Sequence, residues 1–522
     1  MVYRISIALV IALVGLAGLA PQAFGAAMQA LLAPVVRSTG WLYLLVVFMV
    51  LAFLLYLAFG RLGRLRIGGE DAEPAFSHRS WLAMLFATGM GIGLVFWGAA
   101  EPISHYAKPP EGLTAATPEA ARAAMRYAFF HWGLHPWAIY ALMGLAMAWF
   151  QYNRGGRGLV SDMLEPVIGA RHRGPWGHGV NIAAVVATAI GVATTLGFGT
   201  IQIAAGLERV LGLHAGVPLQ LAIIGVAFCL YMASSVSGVE RGMKWFSNAN
   251  LVLAGLLLLA VLLLGPTAFI LDTFTTTLGS YINQLVTMSL RLSPFSNGTW
   301  AFDWTVFYWA WWISWSPFVG AFIARVSRGR TVREFVVGVV LAPSLLGFAW
   351  FAVFGGAALQ AQIFGQVDLL AALAQGYETV LFVLLGQLPL GWLLALVALL
   401  LLVVFFVTSA DSAVLVLASM STDAAGDPPL ARRVVWGLAV ALIAAVLLLA
   451  GGLQALQGLI TLAALPFALL LVLVMVSLYR VLDAEDQRLQ RQARRARQRV
   501  QAWIEREMGQ GQGAMPDDGP KR

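Results

Sequence analysis

The sequence predicts an all-α integral membrane protein with about twelve transmembrane helices, and three observations lead to this fold class. The 522 residues are 60% hydrophobic and only 11% charged, which is more apolar surface than soluble cores of normal size can bury. Long apolar runs recur along the whole chain. Lysine and arginine are distributed unevenly between alternate loops, as the two sides of a membrane require.

Each transmembrane helix is predicted from an apolar run of about 18 residues or more. The runs are 5–23, 41–60, 81–103, 127–150, 181–207, 217–235, 250–271, 303–324, 336–359, 380–412, 434–452 and 456–479. The first run has a signal peptide as its alternative, because Met1 to Ala30 combines a basic start with small residues near Ala26. The run is long for a signal peptide, so we expect a retained helix.

The basic residues predict the orientation. If both termini lie inside, 27 of the 33 Lys and Arg fall inside. The 6 on the outside are Arg37, Lys108, Arg122, Arg126, Arg209 and Arg291. The positive-inside rule then predicts a multi-pass protein of the plasma (inner) membrane with cytoplasmic N- and C-termini. The net charge of +8 reflects this topology, and we expect no nucleic-acid partner.

Two predicted spans carry helix-breaking residues at matching positions. The third span contains Gly89, Gly91 and Gly93, and glycine loosens helical backbone. The eighth, five spans later, contains the run 314–317, which ends in Pro317. Paired broken helices indicate a transporter built from inverted repeats. Glycine packing and an ordinary proline kink are the alternative explanation.

The spans therefore divide into two N-terminal helices and two repeats of five. The predicted units are 1–80 with the first two helices and a cytoplasmic loop, 81–271 with the first repeat, 272–302 as an extracellular connector, 303–479 with the second repeat, and 480–522 as a cytoplasmic tail.

Two aromatic clusters predict the binding site. They lie in HWGLHPWAIY (131–140) and YWAWWISW (308–315) and contain Trp132, Trp137, Tyr140, Trp311, Trp312 and Trp315. Aromatic faces attract cations, and a cage of them is the usual receptor for a quaternary ammonium group. Carboxylates are sparse in the spans, which argues against a primary amine as ligand. Glu101 lies near the outer end of the third span and Asp411 toward the inner end of the tenth.

An aromatic belt at the membrane interface is the alternative explanation for these residues. Trp300, Trp304 and Trp309 fit a belt or packing role, because they lie near the outer end of the eighth span. Trp311 to Trp315 lie deeper, beside the proline.

Four runs resemble the betaine/carnitine/choline transporter family. They are GMGIGLVFWGAAEPISHYAKPP (89–110), HWGLHPWAIY (131–140), FYWAWWISWSPFVGAFIARVSRGRTVREF (307–335) and TSADSAV (408–414). The resemblance implies the 5 + 5 inverted-repeat fold of sodium-coupled amino-acid symporters, two extra N-terminal helices and a homotrimer. It implies an aromatic box made of Trp132, Trp137, Tyr140 and Trp312. Trp311 and Trp315 would lie on the substrate pathway, with Gly89, Gly91 and Gly93 beside it.

The resemblance also implies sodium sites. One would combine backbone oxygens of Ala87 and Met90 with the hydroxyls of Thr408 and Ser409, and irregular backbone beside hydroxyls suits a hard cation.

A second sodium site would use Thr188 and Phe318, but the family's other threonine position is Val192 here, which has no oxygen. Thr194 or Thr195 would have to substitute, or the site is absent.

Glycine at position 93 and the absence of a mid-span arginine in the fifth helix imply a sodium-coupled importer of glycine betaine that works by alternating access. We expect no cofactor, with Na⁺ as the coupling ion. Transport of choline, carnitine or another onium compound by proton coupling or exchange is the first alternative. A channel would show rings of polar residues, and a metalloenzyme would need ligand spacing that His105, His131 and His135 lack.

The tail predicts an amphipathic basic helix over 482–508. Leu482, Leu489, Ala496 and Trp503 recur at heptad spacing among basic residues. Such a helix can bind anionic lipid, and the resemblance implies a role in sensing osmotic stress.

Overall fold

The computed structural model describes residues 1–89, 91–237, 240–296, 298–365, 367–422 and 427–511, and every regular element among them is a helix. The helices are α1 Val2–Leu19, α2 Pro21–Phe59, α3 His78–Gly89, α4 Ile92–Ala107, α5 Pro118–Trp132, α6 Leu134–Tyr152, α7 Glu165–Ile168, α8 Pro175–Leu211, α9 Val217–Ser237, α10 Glu240–Leu264, α11 Thr267–Ser289, α12 Phe307–Val326, α13 Val332–Phe364, α14 Leu369–Gln375, α15 Tyr377–Leu385, α16 Gly391–Met420, α17 Leu430–Leu449 and α18 Leu453–Gly511.

The number of long apolar helices is smaller than the twelve predicted spans. Among the described residues, eight helices are long and apolar enough to cross a membrane, or nine if 249–264 and α11, bent by 108°, form one span. The predicted third and fourth spans are each divided into two shorter helices, α3 with α4 and α5 with α6. Helix α12 is not among these eight, because its Trp and Ser residues lower its mean hydropathy. The fold class, an all-α membrane protein, is as predicted.

The break that glycine predicts in the third span is present, and the fourth span contains a second break. The third span is interrupted between α3 and α4, and Gly91 is the N-cap of α4. Met90, one of the expected sodium ligands, lies outside the described residues. The fourth span is interrupted at Gly133, where a Cβ would lie 2.5 Å from the Phe129 carbonyl oxygen and 2.5 Å from the Phe348 ring. Only glycine fits there.

The break predicted at Pro317 is wrong. Helix α12 runs without interruption from Phe307 to Val326, with Pro317 inside it. Proline leaves the carbonyl four residues earlier without its N–H donor, and the Ser316 hydroxyl donates to that carbonyl, Ile313 O, at 2.7 Å. A side-chain donor thus repairs the ladder, as is common in membrane helices. The irregular backbone lies earlier, in a π-helical turn at Phe302–Val306.

Three other predicted boundaries are corrected. The first apolar run, 5–23, crosses from α1 into α2, which continues for 39 residues and includes the second run. Helix α10, which covers the start of the seventh run (250–271), ends at Leu264. Most of the expected connector 272–302 is helix α11. The tenth run, 380–412, is divided between α15 and α16, because Leu390 has a left-handed backbone with φ of 62°.

Loops rich in basic residues meet on one face of the helix bundle. Ile67 N donates to Arg330 O at 2.9 Å, and Gly68 N donates to Asn153 Oδ1 at 2.8 Å. Arg64 pairs with Asp486 of α18 at 2.7 Å. These contacts join three loops and helix α18, all of which the charge pattern assigned to one side.

Three of the residues predicted for the other side also lie together. Arg291 donates to Glu111 O at 2.7 Å, and the Trp300 indole donates to Lys108 O at 3.0 Å. Arg126 donates to the Ser280 hydroxyl of α11 at 3.1 Å.

The tail is helical as predicted, and it continues the last span. Helix α18 has 59 residues and runs from Leu453 to Gly511. Leu482 is buried and Leu489 half-buried, whereas every residue from 491 to 506 is exposed. Residues 512–522 lie outside the described residues.

Candidate functional site

A cavity of about 580 Å³ runs from the centre of the bundle toward the basic face. At its deep end lie Trp132, Trp137, Tyr140, Trp311, Trp312 and Trp315, together with Gly91 and Gly93. At its other end lie Gln151 and Arg325, near the ends of α6 and α12, and Arg157 from a basic loop. The described residues that line this cavity include no Asp or Glu. The two aromatic clusters, which are about 170 residues apart in sequence, therefore line the same cavity.

The aromatic rings are arranged edge against face. Trp132 and Trp312 have ring centroids 4.8 Å apart with an interplanar angle of 72°, and Tyr140 lies 6.3 Å from Trp312 at 78°. Trp137 lies 5.3 Å from Tyr140, also at 78°. Trp311 stacks on Trp312 at 4.7 Å. Rings at steep angles present faces and edges to a common space, which is the geometry of a cation cage.

Gly93 sets how closely the rings approach. A Cβ at this position would lie 2.7 Å from Cη2 of Trp132 and 3.1 Å from Cη2 of Trp311. The absence of a side chain therefore admits the two indoles. The sequence suggested only that Gly93 leaves no charge near the site; the structure adds this steric role.

Three of the indole N–H groups at the site have a fixed acceptor, whereas the buried Trp315 N–H has none among the described residues. Trp132 donates to Glu101 Oε2 at 2.7 Å, Trp311 to Thr195 Oγ1 at 3.0 Å and Trp312 to the His131 carbonyl at 3.0 Å. Buried indoles require such partners. The bonds lock the ring orientations before any ligand enters.

Glu101 is the central residue that the sequence did not single out for this role. Its carboxylate is fully buried and accepts from Tyr308 at 2.6 Å as well as from Trp132. The other oxygen faces His131 Nδ1 at 2.6 Å and His105 Nε2 at 3.1 Å. These partners come from α4, α5 and α12. Only the E–P–I–S–H spacing of Glu101 and His105, one helical turn apart, hinted at this cluster.

The expected belt residues are buried in the protein. Trp309 is 1% exposed and stacks on His135 at 5.4 Å. Trp300 and Trp304 are 9% exposed. Trp304 lies 4.4 Å from the His105 ring. They pack the side of the bundle opposite to the basic face, which corrects the belt interpretation.

The structure describes three of the four residues expected at the first sodium site, Ala87, Thr408 and Ser409. Thr408 and Ser409 line the same cavity, and Ala87 lies in the last turn of α3. The Thr408 hydroxyl donates to Val404 O at 2.9 Å and accepts from Asn250 Nδ2 at 3.0 Å. Thr408 is therefore held in place by a helix that the sequence did not implicate.

The second expected site combines α8 with α12. Among the described residues, the buried Thr188 Oγ1 and Ser314 Oγ have no hydrogen-bond partner. Phe318 lines the cavity and packs edge-on against Trp315 at 5.2 Å. Orphaned buried oxygens are compatible with a cation ligand.

The substitutes considered for Val192 are otherwise engaged. Thr194 donates to Ile190 O, and Thr195 donates to Gly191 O while accepting from Trp311. Both hydroxyls therefore already donate a hydrogen bond within α8, and Val192 itself carries no side-chain oxygen.

Comparison with known proteins gives a consistent result. A family model described as betaine/carnitine/choline family transporter matches residues 1–487. The glycine betaine transporter OpuD of Bacillus subtilis (strain 168) is 46% identical over 493 residues, which cover 94% of this chain and 96% of the relative. An ectoine/hydroxyectoine transporter of Virgibacillus pantothenticus is 41% identical over 488 residues, 93% and 97% of the two chains. Glycine betaine transporter 1 of Vibrio parahaemolyticus serotype O3:K6 is 42% identical over 464 residues, 87% of each.

Proposed function

This chain belongs to the betaine/carnitine/choline transporter family, and we propose that it imports glycine betaine by sodium symport, with the aromatic cavity as its substrate site. The observation that carries the proposal is the box of Trp132, Tyr140 and Trp312 at the deep end of a cavity beside a helix break. Membership of this family makes the chain a multi-pass membrane transporter of osmolytes.

The box suits an onium group. A trimethylammonium has no N–H to donate to a carboxylate, and it is large and weakly hydrated. Several indole faces compensate for its lost water, each contact contributing up to about 2 kcal/mol when desolvated. A cavity wall without Asp or Glu among the described lining residues suits a zwitterion, because no fixed negative charge repels its carboxylate.

The carboxylate of betaine has a matching partner. Helix α4 begins at Ile92, and its N-cap Gly91 and first residues Ile92 and Gly93 line the cavity. A helix N-terminus carries unpaired donors and a partial positive charge. We propose that the onium group occupies the box while the carboxylate faces this helix end.

Sodium coupling is supported by the neighbouring oxygens. Thr408 and Ser409 line the cavity across from the end of α3, and backbone carbonyls at a helix break supply further ligands. Val192 favours one sodium ion per cycle over two, since Thr188 lacks its expected threonine partner.

Alternating access would start from an inward-open state. The cavity reaches Arg157 and Arg325 on the basic face, which we propose to be cytoplasmic. On the opposite side, the buried rings of Trp304, His105 and Tyr308 fill the path. Opening would require these rings to separate. We propose a homotrimer in the plasma membrane, as in the family.

The test is uptake of labelled glycine betaine into proteoliposomes with and without an inward sodium gradient. Competition by choline, carnitine and ectoine decides the substrate class. We expect saturable, sodium-dependent uptake that Trp312→Ala reduces at least about tenfold, the loss of about 1.4 kcal/mol of binding. Trp392→Ala is the matched control, because Trp392 is 63% exposed. Full uptake by the Trp312 variant would contradict the proposed box, and uptake without saturation would indicate a channel.

A further inference from the structure

A fully buried cluster of one carboxylate and two imidazoles lies directly behind the aromatic box. Glu101 and His105 come from α4 and His131 from α5, and all three side chains are inaccessible to solvent. One carboxylate oxygen, Glu101 Oε1, faces a nitrogen of each imidazole, at 2.6 Å for His131 and 3.1 Å for His105.

These distances describe shared protons rather than metal ligands. Two donors bound to one zinc ion at about 2.0–2.1 Å in tetrahedral geometry lie about 3.3 Å apart. The Nδ1 of His131 and the Oε1 of Glu101 are closer than that, at 2.6 Å. Charge-assisted N–H···O hydrogen bonds are about 2.7–2.9 Å long, so this distance is nearer to a short hydrogen bond than to the separation of two ligands on one ion.

The hydrogen bonds define where protons sit. A carboxylate with four donors around it is ionised, so His105 Nε2 and His131 Nδ1 carry protons. With both imidazoles neutral, the cluster holds a net charge of −1 in a fully buried place. One further proton would make it neutral, and a buried unbalanced charge is costly.

The geometry selects the atom that takes this proton. His131 Nε2 lies 3.0 Å from the Thr305 hydroxyl, which can either donate or accept. Protonated His131 would therefore keep a partner. His105 Nδ1 has no hydrogen-bond partner among the described residues, so a proton there would be left unpaired.

Two hydrogen bonds connect the cluster to the box. Glu101 accepts from the Trp132 indole at 2.7 Å, and the His131 carbonyl accepts from the Trp312 indole at 3.0 Å. A negative carboxylate on the Trp132 N–H enriches the ring face in electrons and adds a favourable field for a cation in the box. Neutralising the cluster removes that field.

We propose that Glu101, His105 and His131 form a proton-binding site, and that its proton, carried on His131, lowers the affinity of the box for its onium ligand. The link to onium affinity rests on the proposed function of the box, whereas proton binding itself does not. The titratable and charged groups that face the cluster are Tyr127 with Arg126 and Arg291, His135, Tyr308, and Tyr377 with Asp303. Tyr308 and Trp132 supply the remaining donors to the carboxylate.

The experiment measures equilibrium binding of labelled glycine betaine to the purified full-length protein between about pH 5.5 and 8, the range in which imidazoles titrate. Betaine itself does not change charge there. In the wild type we expect the affinity to fall about fivefold as the pH is lowered, equivalent to about 1 kcal/mol. Thr305→Val removes the acceptor for the His131 proton without touching the box, so the fall should move to lower pH.

Glu101→Gln should bind more weakly at high pH and lose the pH dependence. His214→Gln is the control, because the His214 side chain is 93% exposed, and it should titrate like the wild type. Affinity independent of pH in the wild type, or an unchanged midpoint in Thr305→Val, would overturn the proposal.

Infrared difference spectra between the two pH values provide a readout that needs no ligand. Because the chain has seven histidines, wild-type protein should show an imidazole protonation band that His131→Gln reduces by the contribution of one histidine, and an unchanged band amplitude in that variant would refute the site. If betaine does not bind at any pH, the proposed function fails, and the infrared titration still decides whether the cluster takes up a proton.

Discussion

Replacing Gly93 with alanine should disturb the box while leaving its chemistry intact. The new Cβ would lie 2.7 Å from the Trp132 ring and 3.1 Å from the Trp311 ring. Neither indole can swing away freely, since Trp132 is bonded to Glu101 at 2.7 Å and Trp311 to Thr195 at 3.0 Å. The rings must shift by a few tenths of an ångström, and one of these hydrogen bonds must lengthen.

The size of the effect follows from the packing. Inserting a methyl group into a well-packed core costs about 1–3 kcal/mol. If the bound state bears about 1.4 kcal/mol of that cost, because a ligand holds the rings in the cage geometry, affinity falls about tenfold. The melting temperature should fall as well, because the hydrogen bonds to Glu101 and Thr195 resist the ring shift in the empty protein too.

The assay is the KM for glycine betaine in proteoliposomes, with the melting temperature of each variant measured alongside. Gly225→Ala is the matched control, because a Cβ at Gly225 on α9 would have nothing within 4 Å. A KM for Gly93→Ala within about twofold of the wild-type value would mean that the Trp132 and Trp311 positions do not set affinity, contrary to the packing cost expected at this position.

The remaining predictions concern α12, sodium and the tail. Ser316→Ala should lower the melting temperature by leaving the buried Ile313 carbonyl unpaired, a cost of about 1–3 kcal/mol. Ser344→Ala should not, because the carbonyl that Ser344 bonds, Val340 O, keeps its helical partner. Val192→Thr should place a second hydroxyl one turn from Thr188 and raise the Hill coefficient for sodium in uptake assays; a coefficient unchanged from wild type would argue against a second site there. Deleting residues 491–522 should abolish activation by high osmolality and spare basal uptake, since residues 491–506 are exposed; activation equal to wild type would exclude the tail as the sensor.

The sequence predicted the aromatic residues at the deep end of the cavity because side-chain type carried the signal. Tryptophan is rare, and its crowding in 308–315 and 131–140 marked both walls. Glycine indicated the break at Gly91 because the conformational freedom of the backbone is a local property of the sequence.

Long-range hydrogen bonds were beyond such reasoning. The partners of Glu101 include Tyr308, 207 residues away, and no local pattern reports that contact. The break predicted at Pro317 was wrong although proline does remove a backbone donor. The hydroxyl of the neighbouring Ser316 replaces that donor, so the helix continues. The prediction of one continuous helix over the tenth run was wrong, because the apolar residues on both sides of Leu390 gave no sign of the turn there.

The continuity of α18 has a mechanical consequence. Because the last span and the tail form one helix to Gly511, the 31 residues beyond Arg480 make a rod about 45 Å long at 1.5 Å per residue. A tilt of about 5° in the span would move the far end of that rod by about 4 Å. Equally, a force that a lipid surface applies to the tip acts on the span with the full leverage of the rod. The ion pairs of Asp486 with Arg61 and Arg64 lie at the fulcrum, where a small displacement at the core corresponds to a large one at the tip.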